Sequence, residues 1–329
     1  MRSRPAEKEN NMKPIVAFAS AHQDSQVCME AKELLRNAGF ELALNETGKK
    51  FNSSELKEFI KGAFGVVAGT EKYDADVLAG CTELKAVVRF GVGTDNFDLE
   101  TMKKMGVKVG VISNNNAVAE FTLLLMMATV KQLVRYDHAV RGGGWDRYRM
   151  TELRGKTIGI VGFGRIGKRL AELLSGFGCR ILAYARHLDD ETAKKYNIIL
   201  SDFDSLLAQS DIVSLHIPAN DSTKHIINRE SIAKMKDGAV LINTARGALV
   251  DEESLYEALT SGKLAGAGLD VYEKEPVTSA DNPLFSLDNV VLAPHCAALS
   301  EETNYNGGLI CARSMISVYN GGEPEYPVK

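Results

Sequence analysis

Between Thr157 and Leu174 the chain reads TIGIVGFGRIGKRLAELL. An apolar run of strand character leads into Gly162-x-Gly164-x-x-Gly167, and an amphipathic helical pattern follows. Each glycine has its own physical task. Gly162 permits a tight turn, Gly164 lets the backbone approach a pyrophosphate, and Gly167 lets the helix pack closely on the strand. Phosphates then rest on the N-terminal N–H groups of the helix, beside Arg165 and Ile166. GxGxxG alone is a weak signal, because glycines are common in turns. Here a strand precedes it, a helix follows, and a second strand, CRILAYA, comes next. A stretch of this kind restricts the chain to a parallel α/β unit that holds a dinucleotide.

The rest of the chain keeps the same alternation. IVAFA (15–19), ELAL, GVVAG, LKAVVRF and VKVGVI read as strands. QVCMEAKELLRNAG, SSELKEFIKG (capped by Ser53 or Ser54), ADVLAG and LETMKKMG read as helices between them. A single long helical pattern runs from about Asn116 to about Val140. The alternation then restarts and continues through DIVSLHI, GAVLIN, GAGLDV and NVVLAP, and a terminal helix follows Ser300. The expected plan is two α/β domains with parallel sheets, the second inserted into the first so that the last helix has somewhere to dock.

Bulk properties exclude other classes. The 329 residues are 45% hydrophobic and 25% charged, with a formal net charge of −4. No basic excess or basic block is present to hold a nucleic-acid backbone. The apolar run FTLLLMMATV (121–130) is too short for a bilayer and ends at Lys131. The N-terminal MRSRPAEKENN has no apolar core, so it reads as an extension rather than a signal peptide, with Met12 as a candidate start. The five cysteines (Cys28, Cys81, Cys179, Cys296, Cys311) lack CxxC spacing. That pattern fits a reducing compartment, by default the cytoplasm, and gives neither a disulfide framework nor a metal site.

Three segments carry candidate residues at or just past strand ends, where open α/β sheets bind ligands. LINTARGALVDEESL places Arg246 just past Asn243. Its planar fork suits a carboxylate, although an arginine before a helix capped by Asp251 is commonly a surface residue. GAGLDVYEKEP gives Asp270 and then Glu275, whose direction Pro276 restricts. NVVLAPHCAAL puts His295 after an apolar strand. Each is ambiguous by itself. Together they offer a cation, a carboxylate and an imidazole, a set suited to hydride transfer to a carbonyl.

These segments, with VVRFGVGTDNFDL and NAVAE, occur in an order that resembles the D-isomer-specific 2-hydroxyacid dehydrogenases over almost the whole chain after Met12. The resemblance implies a Rossmann cofactor domain (114–297) inserted into a flavodoxin-like substrate domain (13–113, completed by 298–329). It implies that Arg246 binds the substrate, that His295 is the general acid/base and that Glu275 pairs with it. Backbone amides of the Gly91–Val92–Gly93 loop would face the substrate carboxylate, and the two domains would close on it. Asp270 matches a position that contacts the nicotinamide carboxamide. His216, Pro218, Thr223, Thr244, Ala245, Arg246 and His295 fall on the cofactor side. A homodimer through the long helix and the Trp145 loop is also implied. The expected activity is NAD(P)-dependent reduction of hydroxypyruvate, glyoxylate or a similar small 2-oxo acid. The alternatives are a 3-phosphoglycerate dehydrogenase lacking a regulatory domain and a non-enzymatic dinucleotide sensor.

The chain departs from the family pattern in informative places. Cys296 directly follows the histidine. AGTEKYD, with Glu71 and Lys72, stands where some phosphoglycerate enzymes carry an arginine pair, which argues against a phosphorylated substrate. Glu275 argues against formate dehydrogenase activity, which uses glutamine there. In ILAYARHL the acid that would accept hydrogen bonds from ribose hydroxyls is missing. Ala185, Arg186 and His187 stand in its place. Loss of the acid removes the repulsion of a 2′-phosphate, and Arg186 can bind one, so NADP(H) is expected to serve at least as well as NAD(H).

Overall fold

A computed structural model describes residues 13–20, 29–113, 115–186, 189–278 and 282–328. The chain divides into two compact units, one of residues 1–114 with 300–329 and one of 115–299.

The first unit holds β1 (Ile15–Phe18), β2 (Glu41–Leu44), β3 (Gly65–Ala68), β4 (Ala86–Arg89) and β5 (Lys108–Val111). They form one parallel sheet in the order β2-β1-β3-β4-β5. Strand residues alternate between two cores because successive side chains point to opposite faces. Ala17, Val66, Ala68 and Val87 pack with Leu56 of α2 (Ser53–Phe59), Val77 of α3 (Ala75–Leu78) and Met102 of α4 (Leu99–Lys104). Val16, Phe18, Val67 and Val88 pack with Leu35 of α1 (Met29–Asn37) and with residues from the far end of the chain.

The second unit opens with α5 (Asn115–Val130) and α6 (Leu133–Arg141). Its strands are β6 (Thr157–Val161), β7 (Arg180–Tyr184), β8 (Ile199–Leu200), β9 (Ile212–Leu215), β10 (Ala239–Asn243), β11 (Leu264–Leu269) and β12 (Val290–Leu292). The parallel sheet runs β12-β11-β10-β9-β6-β7-β8. Strand order reverses between β6 and β9, which places the ligand crevice of such a sheet at their carboxyl ends. One face is covered by α5 and α7 (Arg165–Leu174), the other by α9 (Phe203–Gln209), α10 (Arg229–Lys234) and α11 (Glu252–Thr260). The remaining helices are α8 (Asp190–Tyr196) in this unit and α12 (Glu301–Tyr319) in the first. Asp251 caps α11, accepting from the Ser254 N–H.

Two expectations are corrected. The single helix from Asn116 to Val140 is two helices, α5 and α6, bent by 61°. Gln132 adopts a left-handed conformation at the break. α2 is capped by Asn52, not by Ser53 or Ser54. Its side chain accepts from the Glu55 N–H while Glu55 reaches back to the Asn52 N–H. That reciprocal pair satisfies two helix-end donors at once. No single helix among the described residues is long and apolar enough to cross a membrane.

Candidate active site

The loop after β6 is shaped by exclusion. Gly162 has φ of +101°, and a side chain there would collide with the His216 carbonyl. A side chain at Gly167 would strike the Gly162 carbonyl oxygen, so α7 starts hard against its own strand. At Gly164 the opposite holds, and among the described residues no atom beyond its chain neighbours lies within 4 Å of the place a Cβ would take. Gly164 is also the N-cap of α7 and has no side chain with which to cap the helix that Arg165 and Ile166 begin. Open space at a helix N-terminus fits a pyrophosphate.

Across the crevice, His216 follows β9. Its Nε2 lies 2.9 Å from Ser214 Oγ, and burial pulls its pKa down to about 4, which keeps the ring neutral. The Thr223 hydroxyl closes its own loop, donating to the Pro218 carbonyl at 2.8 Å. Beyond β7, Ala185 is half-buried and Arg186 is exposed. His187 lies outside the described residues. Asp189, the nearest acid along the chain, caps α8 by accepting from the Thr192 N–H at 2.7 Å.

Three strand ends converge on one dyad. After β10, buried Asn243 wraps the turn, accepting from the Ala245 N–H and donating to the Arg246 carbonyl. Thr244 Oγ1 lies 2.8 Å from Thr122 Oγ1 on α5. Gly247 is pressed onto the Tyr272 backbone so closely that any side chain would overlap it. This contact draws the Arg246 turn against the 272–275 loop. Glu275 Oε1 accepts from the Tyr272 N–H at 2.9 Å, and Oε2 accepts from His295 Nδ1 at 2.6 Å. Burial would raise the Glu275 pKa. The hydrogen bonds from His295 and Tyr272, with the nearby charges of His295 and Arg246, outweigh it and hold the carboxyl below its usual range. Glu275 is thus an acceptor, so Nδ1 carries the proton and Nε2 is left for chemistry.

His295 itself has φ of +55°, a conformation unusual outside glycine. Asp270 maintains it. This fully buried carboxylate accepts from the N–H groups of Cys296 at 2.8 Å and Ala297 at 2.9 Å. The Asp270 carbonyl accepts from the His295 N–H. Burial raises the Asp270 pKa against the pull of those bonds. Gly91, Val92 and Gly93 belong to the first unit and follow β4 at the carboxyl edge of its sheet.

Residues 123–297 match the family model for the D-isomer-specific 2-hydroxyacid dehydrogenase NAD-binding domain. The chain belongs to the D-isomer-specific 2-hydroxyacid dehydrogenase family. It is 40% identical to a hydroxypyruvate reductase of Thermotoga maritima over 88% of this chain and 94% of that one. It is 39% identical to a D-3-phosphoglycerate dehydrogenase of Archaeoglobus fulgidus over 89% of its length, and spans 56% of that relative. Its fold superposes on the crystal structure of a glyoxylate reductase from Paecilomyes thermophila with a TM-score of 0.86, at 29% identity over 96% and 98% of the two chains. The unit carrying the Gly162 loop is thus the family's NAD-binding domain, and its two parallel-sheet units are those of the family. Arg246, Asp270, Glu275 and His295 gather on this domain. Asn243, Ser214 and Gly247 were not singled out from the sequence. The glycine directly after Arg246 was the one available signal, since close backbone approach is a use of glycine.

Proposed function

We propose that the chain reduces a small 2-oxo acid to its 2-hydroxy acid, with His295 as proton donor. The observation that carries this reading is the 2.6 Å bond from His295 Nδ1 to a Glu275 held ionised, in a loop pinned by Asp270. A bound nicotinamide supplies the hydride. Arg246 stabilises charge as it develops on the carbonyl oxygen. The imidazolium of His295 delivers its Nε2 proton to that oxygen, and Glu275 holds the ring through the Nδ1–H that remains. The amides of Val92 and Gly93 are assigned to the substrate carboxylate. The 1–114 and 300–329 unit serves as the substrate domain. Hydroxypyruvate and glyoxylate are the preferred candidates, in keeping with the relatives named for those reductions. The test is loss of NAD(P)H absorbance with a panel of glyoxylate, hydroxypyruvate, pyruvate and 2-oxoglutarate. Flat traces for every acid, with tight cofactor binding, would instead indicate a dinucleotide sensor.

NADPH is proposed to serve at least as well as NADH. Of the two acids that could have replaced the missing ribose anchor, Asp189 is engaged as a helix cap and Asp190 lies in the first turn of α8, while Arg186 is the exposed residue directly after Ala185. A homodimer is proposed as well. α5 is largely covered within its own unit, so the apolar surface in question is Leu124 together with Leu133, Val140, Trp145 and Met150, all more than half exposed. Large exposed apolar side chains, where they adjoin, mark association surfaces. Sedimentation as a single 35.8 kDa species at micromolar concentration would reject the dimer. Cytoplasmic location is proposed from the dispersed cysteines alone.

A further inference from the structure

The loop that carries Glu275 is tied down by a contact the chemistry above does not use. His225 Nε2 lies 2.6 Å from Oε1 of Glu273, two residues before Glu275. A carboxylate only accepts, so Nε2 carries a proton. The backbone sets His225 in place for this. It has φ of +50°, a left-handed conformation that persists in a residue other than glycine only where the surroundings impose it. Its N–H donates to the Ala248 carbonyl at 2.9 Å, and its own carbonyl accepts from Asn228 Nδ2 at 2.9 Å. The Ile227 N–H donates to the Leu249 carbonyl, and the Asp251 N–H donates to the Ile227 carbonyl. Residues 225–227 are thus joined to the segment that follows Arg246, while the His225 ring reaches the 272–275 loop. Glu273 is held from two more sides. Its nitrogen lies against Gly247, and its N–H donates to Glu252 Oε1 at 2.8 Å. Burial first, and then the charges of Glu273 and Glu275, raise the Glu252 pKa, so three carboxylates crowd this corner. His295 and Arg246 offset Glu275, and His225 brings its proton to Glu273.

We propose that His225 is a positioning residue, which through Glu273 fastens the Glu275 loop to the Arg246 turn and so keeps Glu275 aimed at His295 Nδ1. Its side chain is 36% exposed and that of Glu273 37%, and a pair this open to water adds little to overall stability. Its effect is on direction. A small displacement of a catalytic group, caused well away from the reacting atoms, is enough to cost a large factor in rate. The inference rests on the reading of His295 and Glu275 as the dyad that reduces a 2-oxo acid.

The test measures kcat, cofactor KM and Tm for His225→Asn, Glu273→Ala, the double variant and Glu273→Gln, with the 2-oxo acid the wild type reduces best. Asparagine tolerates the left-handed conformation but is too short to reach Glu273. Each of the first two variants is expected to lower kcat about tenfold and leave cofactor KM within about twofold. The double variant should be no slower than the slower single, because both changes remove one contact. Glu273→Gln still accepts from Nε2 and should recover most of the loss seen in Glu273→Ala. Tm should move by no more than about 4 °C throughout. Wild-type kcat in both singles overturns the proposal, as do losses that multiply in the double variant or a Glu273→Gln as slow as Glu273→Ala. A loss of kcat that comes only with a larger fall in Tm also overturns it, since the contact would then be merely structural. A wild type that reduces no 2-oxo acid overturns the dyad reading itself, a different and recognisable failure.

Discussion

Acid should weaken this protein through His216 by an amount the structure sets. Burial at the end of β9 depresses the imidazole pKa from 6.5 to about 4. The unfolded chain therefore takes up this proton first as pH falls. The stabilising difference is complete above about pH 6.5 and is lost progressively down to about pH 4. A gap of about 2.5 units corresponds to roughly 3 kcal/mol in full, of which about 2 kcal/mol is already gone at pH 5. His216→Gln cannot titrate and so removes this one contribution. Urea unfolding of wild type and variant at pH 7 and pH 5 gives two pH-dependent losses. Their difference should be about 2 kcal/mol, because the other titrating groups are common to both. NMR of the labelled histidine reads the same quantity directly. A folded-state pKa at or above 6.5, or equal acid losses in the two proteins, would refute the enclosure of this ring as the cause.

The dyad, the cofactor loop and the close approach at Gly247 each give a further test. His295→Gln should leave cofactor binding intact and cut turnover by roughly 100-fold or more, and near-normal turnover would remove His295 from its role. Glu275→Gln should lower kcat by about tenfold or more. Because the Glu275 pKa is depressed, its pairing is present above the ordinary carboxylate range and fades only as pH falls through the lowered value. The acid limb of the pH–rate profile should change in the variant, and a profile superposing on wild type contradicts the pairing. Arg186→Ala should weaken NADPH by roughly 1.5–3 kcal/mol and NADH far less. Steady-state kinetics showing equal losses, or a wild type strongly favouring NADH, would refute the cofactor proposal. Gly247→Ala forces a side chain into the Tyr272 backbone and should cost at least about 3 kcal/mol, read as a lowered Tm. A variant as stable as wild type would show that the loop yields freely.

The strands were legible because both faces of each sheet are covered, so segments such as GVVA and the AVLI of β10 read as unbroken apolar runs. The break between α5 and α6 was not, since no glycine or proline marks it and Gln132 takes the left-handed turn. At NSS three cap-type residues follow one another. Only Glu55, three residues beyond Asn52, decides among them. In the site, strand-end positions drew attention to Arg246, Glu275 and His295, while their roles came from the family resemblance. No spacing rule joins Glu275 to a histidine 20 residues on; the meeting of β11 and β12 loops does. The demand on Gly247 was equally hidden, because the backbone it touches belongs to Tyr272.

The first unit is assembled from both ends of the polypeptide, and that has a consequence for synthesis. Ile310, Ala312, Met315 and Val318 of α12 close the core over Val16, Phe18, Val67 and Val88. The antiparallel bridge from Gly110 to Pro327 is later still. A ribosome delivers the five strands of this sheet first and its last covering helix only after all of residues 115–299. The inserted unit has a two-sided core of its own and can form while it waits. During elongation one face of the early sheet has only α1 over it, which makes the nascent chain a natural client for chaperones. A stall or premature stop before Glu301 would release a molecule with one finished unit and one adhesive sheet.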